Sequence, residues 1–72
     1  MKVEIKTEYI KLDQLLKYMG VAENGSHAKE IILDEEVKVN GEVCTMRGKK
    51  LYKNDVISVF DEEFEIEWKF LR

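Results

Sequence analysis

The sequence contains few residues of the kinds that form disulfides, metal centres and nucleophilic sites. It has one cysteine, Cys44, and one histidine, His27, among 72 residues. One cysteine per chain excludes an intramolecular disulfide and a cysteine-based metal cluster, and we expect Cys44 to be an ordinary strand residue. His27 lacks a second ligand or a partner nucleophile, so it is expected on the surface near the start of a helix. The sequence therefore predicts no metal and no cofactor.

A long apolar run is also missing. No segment approaches the roughly 20 apolar residues that cross a bilayer as a helix, and residues 1–4 lack the basic-then-apolar pattern of a signal peptide. The composition, 44% hydrophobic and 38% charged, is typical of a small soluble domain rather than of a disordered segment. We expect one domain over residues 1–72 that is monomeric, cytoplasmic and not bound to a membrane.

Enzyme motifs are absent as well. The sequence contains no glycine-rich motif that cradles phosphates, and Asn40-Gly41 is a turn signal rather than part of such a motif. Catalysis by paired carboxylates needs two acids in one pocket with separated pKa values. The acidic residues here fall on predicted exposed positions of helices and strands. We therefore expect that the protein is not an enzyme.

Residues 11–33 have the periodicity of two short amphipathic helices. Apolar side chains recur at offsets of 0, 3, 4 and 7 and so lie on one face of the first helix, at Leu12, Leu15, Leu16 and Met19. Gly20 is expected to end this helix, because glycine readily adopts the left-handed conformation beyond a helix terminus. Asn24 is expected to cap the second helix, whose apolar face consists of Ala28, Ile31 and Ile32.

Apolar and charged residues alternate with period two in much of the rest of the chain, as in half-buried strands. The predicted strands are residues 2–6, 37–39, 42–43, 56–60 and 64–70. Turns are expected at Asn40-Gly41, a strong hairpin signal, at Asn54-Asp55 and at Glu62-Glu63, and Trp68 is expected to face the core. The predicted fold class is α+β, with two packed helices in a helix-loop-helix against a small, mostly antiparallel twisted sheet of four or five strands.

The net charge of −3, taken alone, argues against a nucleic-acid partner, because phosphate binding relies on positive charge. The charge is unevenly distributed, however. Residues 11–53 contain eight basic and seven acidic side chains, whereas residues 54–72 contain two basic and six acidic ones. From residue 45 to residue 53 there is no acid, and there are four bases: Arg47, Lys49, Lys50 and Lys53. Such a run is usually a solvated loop, but Gly48 allows the backbone to approach a ligand closely.

Together these segments resemble a known family. The shared residues span about two thirds of the chain and are Leu12, Asp13, Leu16, Gly20, Ala28, Ile32, Val37, Val39, Asn40, Gly41, Asp55, Val56 and Ile57. In these residues the sequence is similar to the S-four RNA-binding domain, which is named after the fourth protein of the small ribosomal subunit and has the alpha-L motif fold. The run from Arg47 to Tyr52 is similar to the small stand-alone members of the YaaA and YbcJ type.

The resemblance implies that the helix pair and the adjoining loop bind structured RNA, with ribosomal or transfer RNA as the expected target and association with the ribosome as the expected setting. The RNA-binding residues that it implies are Lys11, Lys17, Asn24, Gly25, Ser26, His27, Lys29, Arg47, Gly48, Lys49 and Lys50. The basic side chains would contact phosphates, and the others would donate hydrogen bonds. Tyr18 and Tyr52 are candidates for base stacking, although ordinary packing is the commoner role.

The sequence departs from the family pattern at three places. A Ser-Arg pair that is common at the start of the second helix is Asn24-Gly25 here, so a cap remains but the arginine is absent. Lys29 offers only a point charge in place of the planar fork of arginine. A glycine usual before the first hairpin strand is Glu35, and a Gly-Asp pair near the last turn is Asn54-Asp55. These changes leave the fold prediction intact and weaken the prediction of RNA affinity.

Two alternatives to RNA binding stay open. The acidic C-terminal third and an edge strand near residues 3–6 also suit a non-enzymatic adaptor, associated with the ribosome, that binds a basic protein or accepts a partner strand. DNA is the weaker alternative, because neither a basic recognition helix nor a dimer-forming heptad is visible.

Overall fold

The computed structural model describes residues 1–68, which form two helices, a five-stranded sheet and a two-stranded ribbon. In chain order the elements are β1 (Lys2–Ile5), β2 (Ile10–Lys11), α1 (Leu12–Tyr18), α2 (Gly25–Leu33), β3 (Val37–Val39), β4 (Glu42–Val43), β5 (Lys50–Leu51), β6 (Val56–Val59) and β7 (Glu62–Trp68). The helices contact each other. Neither of them has the length and apolar character that a bilayer crossing requires.

Helix α1 ends at a glycine, as predicted. Gly20 has a φ of +77° and donates its N–H to the Lys17 carbonyl at 3.0 Å, while the N–H of Val21 reaches the Leu16 carbonyl at 2.9 Å. This pair of hydrogen bonds is the Schellman motif, in which a left-handed residue lets the chain satisfy carbonyls that the helix leaves free.

Helix α2 ends in the same motif but without a glycine. Glu35 has a φ of +61°, and the N–H groups of Glu35 and Glu36 donate to the carbonyls of Ile32 and Ile31 at 3.1 and 3.4 Å. The glycine that the family commonly has at this position would adopt this conformation without strain. The fold therefore keeps the left-handed turn although the side chain there is a glutamate.

The five-stranded sheet has the order β1-β7-β6-β3-β4. Strands β1 and β7 are parallel, and all other neighbours are antiparallel, so the predicted mostly antiparallel sheet is confirmed. Val39 pairs with Glu42 around Asn40-Gly41, whose φ values are +52° and +87°, as the predicted tight hairpin requires. Cys44, predicted as a strand residue, follows β4 and continues its pairing through an N–H bond to the Val37 carbonyl at 2.9 Å.

The hairpin between β6 and β7 turns two residues earlier than predicted. Val59 pairs with Glu62, so the turn consists of Phe60-Asp61 and not of Glu62-Glu63. Phe60 has a φ of +55° and leaves the strand with 60% of its surface exposed. The register of the pairing sets this position, because the buried residues of both strands face the core only when β7 begins at Glu62.

The sequence did not predict the ribbon of β2 and β5, because residues 7–10 were assigned to a connection. Ile10 lies opposite Leu51, and Lys11 lies opposite Lys50, in an antiparallel pair. Two residues are too few to show an alternating pattern. The ribbon joins Lys50 and Leu51, which directly follow the basic segment of residues 44–49, to the two residues that precede α1.

Side chains from both helices and from the strands form one core. The helices contribute Leu12, Leu15, Leu16, Ala28, Ile31 and Ile32, and the strands contribute Val3, Ile5, Val37, Val39, Leu51, Ile57, Val59, Phe64 and Ile66. The predicted apolar faces of the two helices are therefore confirmed, with Met19 partly buried at their edge. The predicted inward orientation of the Trp68 side chain and of Phe70 lies outside the described part of the chain.

Candidate nucleic-acid interface

The basic loop between β4 and β5, residues 44–49, is hydrogen-bonded to the start of α1. The carbonyl of Lys49 accepts from the Leu12 N–H at 2.8 Å, and the carbonyl of Arg47 accepts from the Asp13 N–H at 3.1 Å. The first N–H groups of a helix have no partner within the helix, and the loop satisfies two of them. The backbone of the basic loop is thereby held against α1.

The side chain of Arg47 lies where the loop and the two helices meet. Its Nε donates to Asp13 Oδ2 on α1 at 3.4 Å, and its Nη2 lies 3.9 Å from the position that a Cβ would take at Gly25 in the first turn of α2. The Arg47 side chain is 52% exposed. Its guanidinium can therefore still present a planar fork of donors to a phosphate.

Two lysines continue from this junction along the helices. Lys17 follows Asp13 by four residues on α1, and Lys29 follows Gly25 by four residues on α2. Residues at i and i+4 lie on the same face of a helix, so both lysines extend faces that Arg47 touches. Both are exposed, and neither forms an ion pair within residues 1–68.

The start of α2 is capped by side chains from the predicted site. Asn24 Oδ1 accepts from the His27 N–H at 2.9 Å, and His27 Nδ1 accepts from the Glu23 N–H at 3.1 Å. In the second bond the His27 Nδ1 is the acceptor, and the contact leaves the Nε2 atom unused. Ser26 is exposed on the first turn. Asn24 and His27 thus have structural roles that use one polar atom each.

Lys11 and Lys50 lie on the ribbon, apart from the junction at Arg47. Their Cα atoms are directly opposite each other, and the Lys50 ammonium lies 4.8 Å from the centroid of the Tyr9 ring. The predicted basic residues therefore lie in three places. Lys17 and Lys29 are on the helices, Lys49 is in the loop with Arg47, and Lys11 and Lys50 form a pair on the ribbon.

Arg47 and Gly48 form the turn at the tip of the basic loop, closed by a hydrogen bond from the Lys49 N–H to the Met46 carbonyl at 3.1 Å, and Lys49 is exposed. No heavy atom of residues 1–68, apart from those of the chain neighbours, lies within 4 Å of the place that a Cβ would occupy at Gly48. The backbone at this tip is open to a ligand.

Three of the six acidic residues of the C-terminal third, Glu63, Glu65 and Glu67, lie on the outer face of the sheet, the face directed away from the core. Along β7 they alternate with the buried Phe64 and Ile66, and Glu4 occupies the equivalent outward position on β1. The helices cover the opposite face of the sheet through the common core. The segment of residues 11–36, which contains both helices, has three basic and six acidic side chains, so the local excess of positive charge lies in the basic loop.

This arrangement defines a small α+β domain in which a basic loop lies against the first turns of both helices. The family model of the S4 domain matches residues 3–67, and the chain belongs to the S4 domain family. The sequence is also similar to a protein of Bacillus subtilis (strain 168) named as a probable ribosome maturation protein, RlbA, with 42% identity over 57 residues that cover 79% of this chain and 80% of the relative. The resemblance found in the sequence is confirmed.

Two residues of the site were missing from the sequence prediction. Asp13 was assigned to the shared pattern without a role, and it holds Arg47. Tyr9 was considered only for packing, and its ring contacts both Lys50 and Tyr52.

Proposed function

We propose that this protein is a non-enzymatic factor that binds structured ribosomal RNA during ribosome maturation in the cytoplasm. The observation that carries the proposal is the position of Arg47, whose half-exposed guanidinium lies at the junction of the basic loop, α1 and α2. Membership of the S4 domain family and similarity to a protein named for ribosome maturation support the same function. Transfer RNA is the other structured RNA that such a surface suits.

Binding would depend on charge and shape rather than on sequence. Arg47, Lys17 and Lys29 would contact phosphates of neighbouring backbone segments, with Lys49 contributing from the loop tip. The Ser26 hydroxyl and the Nε2 of His27 would donate hydrogen bonds to phosphate or 2′-hydroxyl oxygens, as is usual for recognition of folded RNA. Because the loop is hydrogen-bonded to α1, these groups are arranged before the RNA arrives.

A pair of double variants with equal charge tests the proposal. The Lys49→Glu, Lys50→Glu variant reverses the charge of two side chains at the interface. The Lys6→Glu, Lys38→Glu variant makes the same change in charge at two exposed positions elsewhere, Lys6 after β1 and Lys38 on the outer face of the sheet. Affinity for fluorescent fragments of ribosomal RNA, and for transfer RNA, would be measured by anisotropy. We expect at least about tenfold weaker binding in the first variant and little change in the second. Equal losses in both, or no binding by the native protein, would contradict the proposal.

A protein-binding adaptor is the alternative that a specific observation favours. The outer face of the sheet presents Glu4, Glu63 and Glu65, and β1 is an edge strand with one unpaired side, so a basic protein could bind there. Under this alternative the Lys49→Glu, Lys50→Glu variant would still capture its protein partner. Reversal of Glu63 and Glu65 to lysine would abolish that capture and leave RNA binding in place.

A further inference from the structure

The outer face of the β2/β5 ribbon has two tyrosines beside two lysines. Lys11 lies opposite Lys50 and Ile10 lies opposite Leu51, and the same register places Tyr9 opposite Tyr52. The ring centroids of the two tyrosines are 5.9 Å apart, with their planes at 49°. Because successive side chains of a strand point to opposite faces, Ile10 and Leu51 face the core while the other four residues share the outer face.

The two lysines form a site with unbalanced positive charge. Like charges directly opposite each other in a strand pair are unfavourable, and neither Lys11 nor Lys50 has an acidic partner within residues 1–68. The Lys50 ammonium is instead held 4.8 Å from the Tyr9 ring centroid, a cation–π contact. An anion that touches both ammonium groups would relieve the repulsion, and the charge that RNA supplies is a phosphate.

The tyrosine beside them borders a groove of nucleotide size. Tyr52 is 43% exposed and lines a groove of about 560 Å³ together with Val43, Met46, Lys49 and Lys50. This volume is within the range of small-molecule sites. The walls therefore combine one aromatic ring and two apolar side chains with two bases, Lys49 and Lys50, and two acids, Glu42 and Asp55.

Two polar side chains of the groove are engaged within the protein. Asn40 donates from Nδ2 to Asp55 Oδ1 at 3.1 Å and accepts at Oδ1 from the Val56 N–H at 2.9 Å, and Asp55 Oδ2 accepts from the Tyr52 N–H at 2.8 Å. Glu42 and Thr45 also line the groove, and their side chains remain available for hydrogen bonds to a base. The Asp55 carboxylate would repel a phosphate at its own end of the groove, whereas the lysines would attract one at the other end.

We propose that the ribbon binds one unpaired nucleotide of the RNA, with its base stacked on Tyr52 in the groove and its phosphate between Lys11 and Lys50. The proposal deepens the proposed function and rests on it, because the nucleotide belongs to the RNA held by the helix faces. An aromatic platform next to cations is the usual arrangement for single-stranded RNA.

Substitutions at Tyr52 test this site separately from the helix faces. The probes are an RNA hairpin with an unpaired loop and a fully paired RNA duplex with the same number of phosphates. Tyr52→Phe retains stacking, whereas Tyr52→Leu retains apolar packing against Tyr9 and loses the ring. We expect Tyr52→Leu to bind the hairpin at least about fivefold more weakly, with duplex binding and the Tyr52→Phe variant unchanged. Phe60→Leu, at a 60% exposed aromatic residue in the β6–β7 turn, is the matched control and should bind like the native protein.

A photocrosslink gives a second readout that stability changes do not affect. Hairpins with 5-iodouridine in the loop would be irradiated in complex with the native protein, and the crosslinked residue identified by mass spectrometry. A crosslink to Tyr52 or Tyr9 supports the proposal. Crosslinks confined to residues 24–29 would overturn the proposal. A Tyr52→Leu variant that binds the hairpin like the native protein would also overturn it. The same holds if an acidic peptide occupies the groove and RNA does not.

The same experiment separates failure of this site from failure of the proposed function. If Tyr52→Leu has no effect while Lys17→Glu, Lys29→Glu weakens binding of both probes, the nucleotide site is wrong and RNA binding by the helix faces stands. If the native protein binds neither probe, the proposed function itself is contradicted.

Discussion

Arg47 contacts Asp13 twice, once through its backbone and once through its side chain. The Arg47 carbonyl accepts from the Asp13 N–H at 3.1 Å, and the Arg47 Nε donates to Asp13 Oδ2 at 3.4 Å. One residue of α1 thus fixes both the position of the basic loop and the direction of its arginine. The other carboxylate oxygen of Asp13 is buried and has no hydrogen-bond partner within residues 1–68.

Replacement of this carboxylate should have a small effect on stability. We expect Asp13→Asn to lower the free energy of unfolding by about 0.5–1 kcal/mol. The Asp13 side chain is largely buried, but its partner Arg47 is half exposed, so solvent weakens the ion pair. Urea denaturation measures this change in the free energy of unfolding. Lys2→Met is the control, since it removes the ion pair with Glu67 at 3.7 Å, in which both side chains are well exposed, and it should change stability little. A loss above about 3 kcal/mol for Asp13→Asn would indicate a fully buried ion pair and contradict this description.

The left-handed residue after α2 provides a stabilising substitution. Glu35 has a φ of +61°, where a side chain costs energy that glycine avoids. We expect Glu35→Gly to raise the free energy of unfolding by about 0.5–1 kcal/mol. Glu36→Gly removes the same charge at the next residue, outside the left-handed region, and should lower stability. Equal effects of the two substitutions in thermal or urea unfolding would show that charge, and not the backbone, is responsible.

Asn40 has a second role beyond its turn. Its side chain bonds Asp55 and the Val56 N–H, which ties the β3–β4 hairpin to the start of β6. Asn40→Gly keeps the φ of +52° without strain but removes both bonds, and we expect it to lower the free energy of unfolding by about 1–3 kcal/mol. Asn54→Gly is the control, because Asn54 also has a positive φ and its side chain makes no hydrogen bond within residues 1–68. A similar loss in both variants would rule out the side-chain bonds as the cause.

RNA affinity should depend steeply on salt. With roughly four to six phosphate contacts, the logarithm of the binding constant should fall with the logarithm of salt concentration at a slope of about −3 to −5. Lys29→Met should reduce the magnitude of this slope by about one, whereas Lys38→Met on the outer face of the sheet should leave it unchanged. A slope near zero for the native protein would refute the electrostatic mechanism.

Elements with a local signal could be predicted from the sequence. The apolar spacing in α1, the glycine that ends it and the Asn40-Gly41 turn each depend on residues within one turn or hairpin. The ribbon of β2 and β5 could not be predicted, because two short segments about 40 residues apart have no pattern of their own until the fold pairs them. The turn at Phe60-Asp61 was misplaced because Phe60 extends the apolar run of β6, which the pairing register ends at Val59.

The chemistry of the site could be predicted better than its geometry. The basic loop was visible as a run of bases without an acid, but the contact between Arg47 and Asp13 joins residues 34 positions apart. The sequence treated all of the basic candidates as one face. The fold instead places Lys11 opposite Lys50 on the ribbon and Arg47 between the helices.

The most direct test of RNA binding is crosslinking in cells followed by sequencing of the attached RNA, comparing the native protein with Lys49→Glu, Lys50→Glu and with Lys6→Glu, Lys38→Glu. We predict enrichment of a defined site in ribosomal RNA for the native protein and the Lys6→Glu, Lys38→Glu control, and loss of that site in the Lys49→Glu, Lys50→Glu variant. Absence of an enriched RNA for the native protein, or the same enrichment in all three, would contradict the assignment of the basic loop and helix faces as an RNA-binding surface.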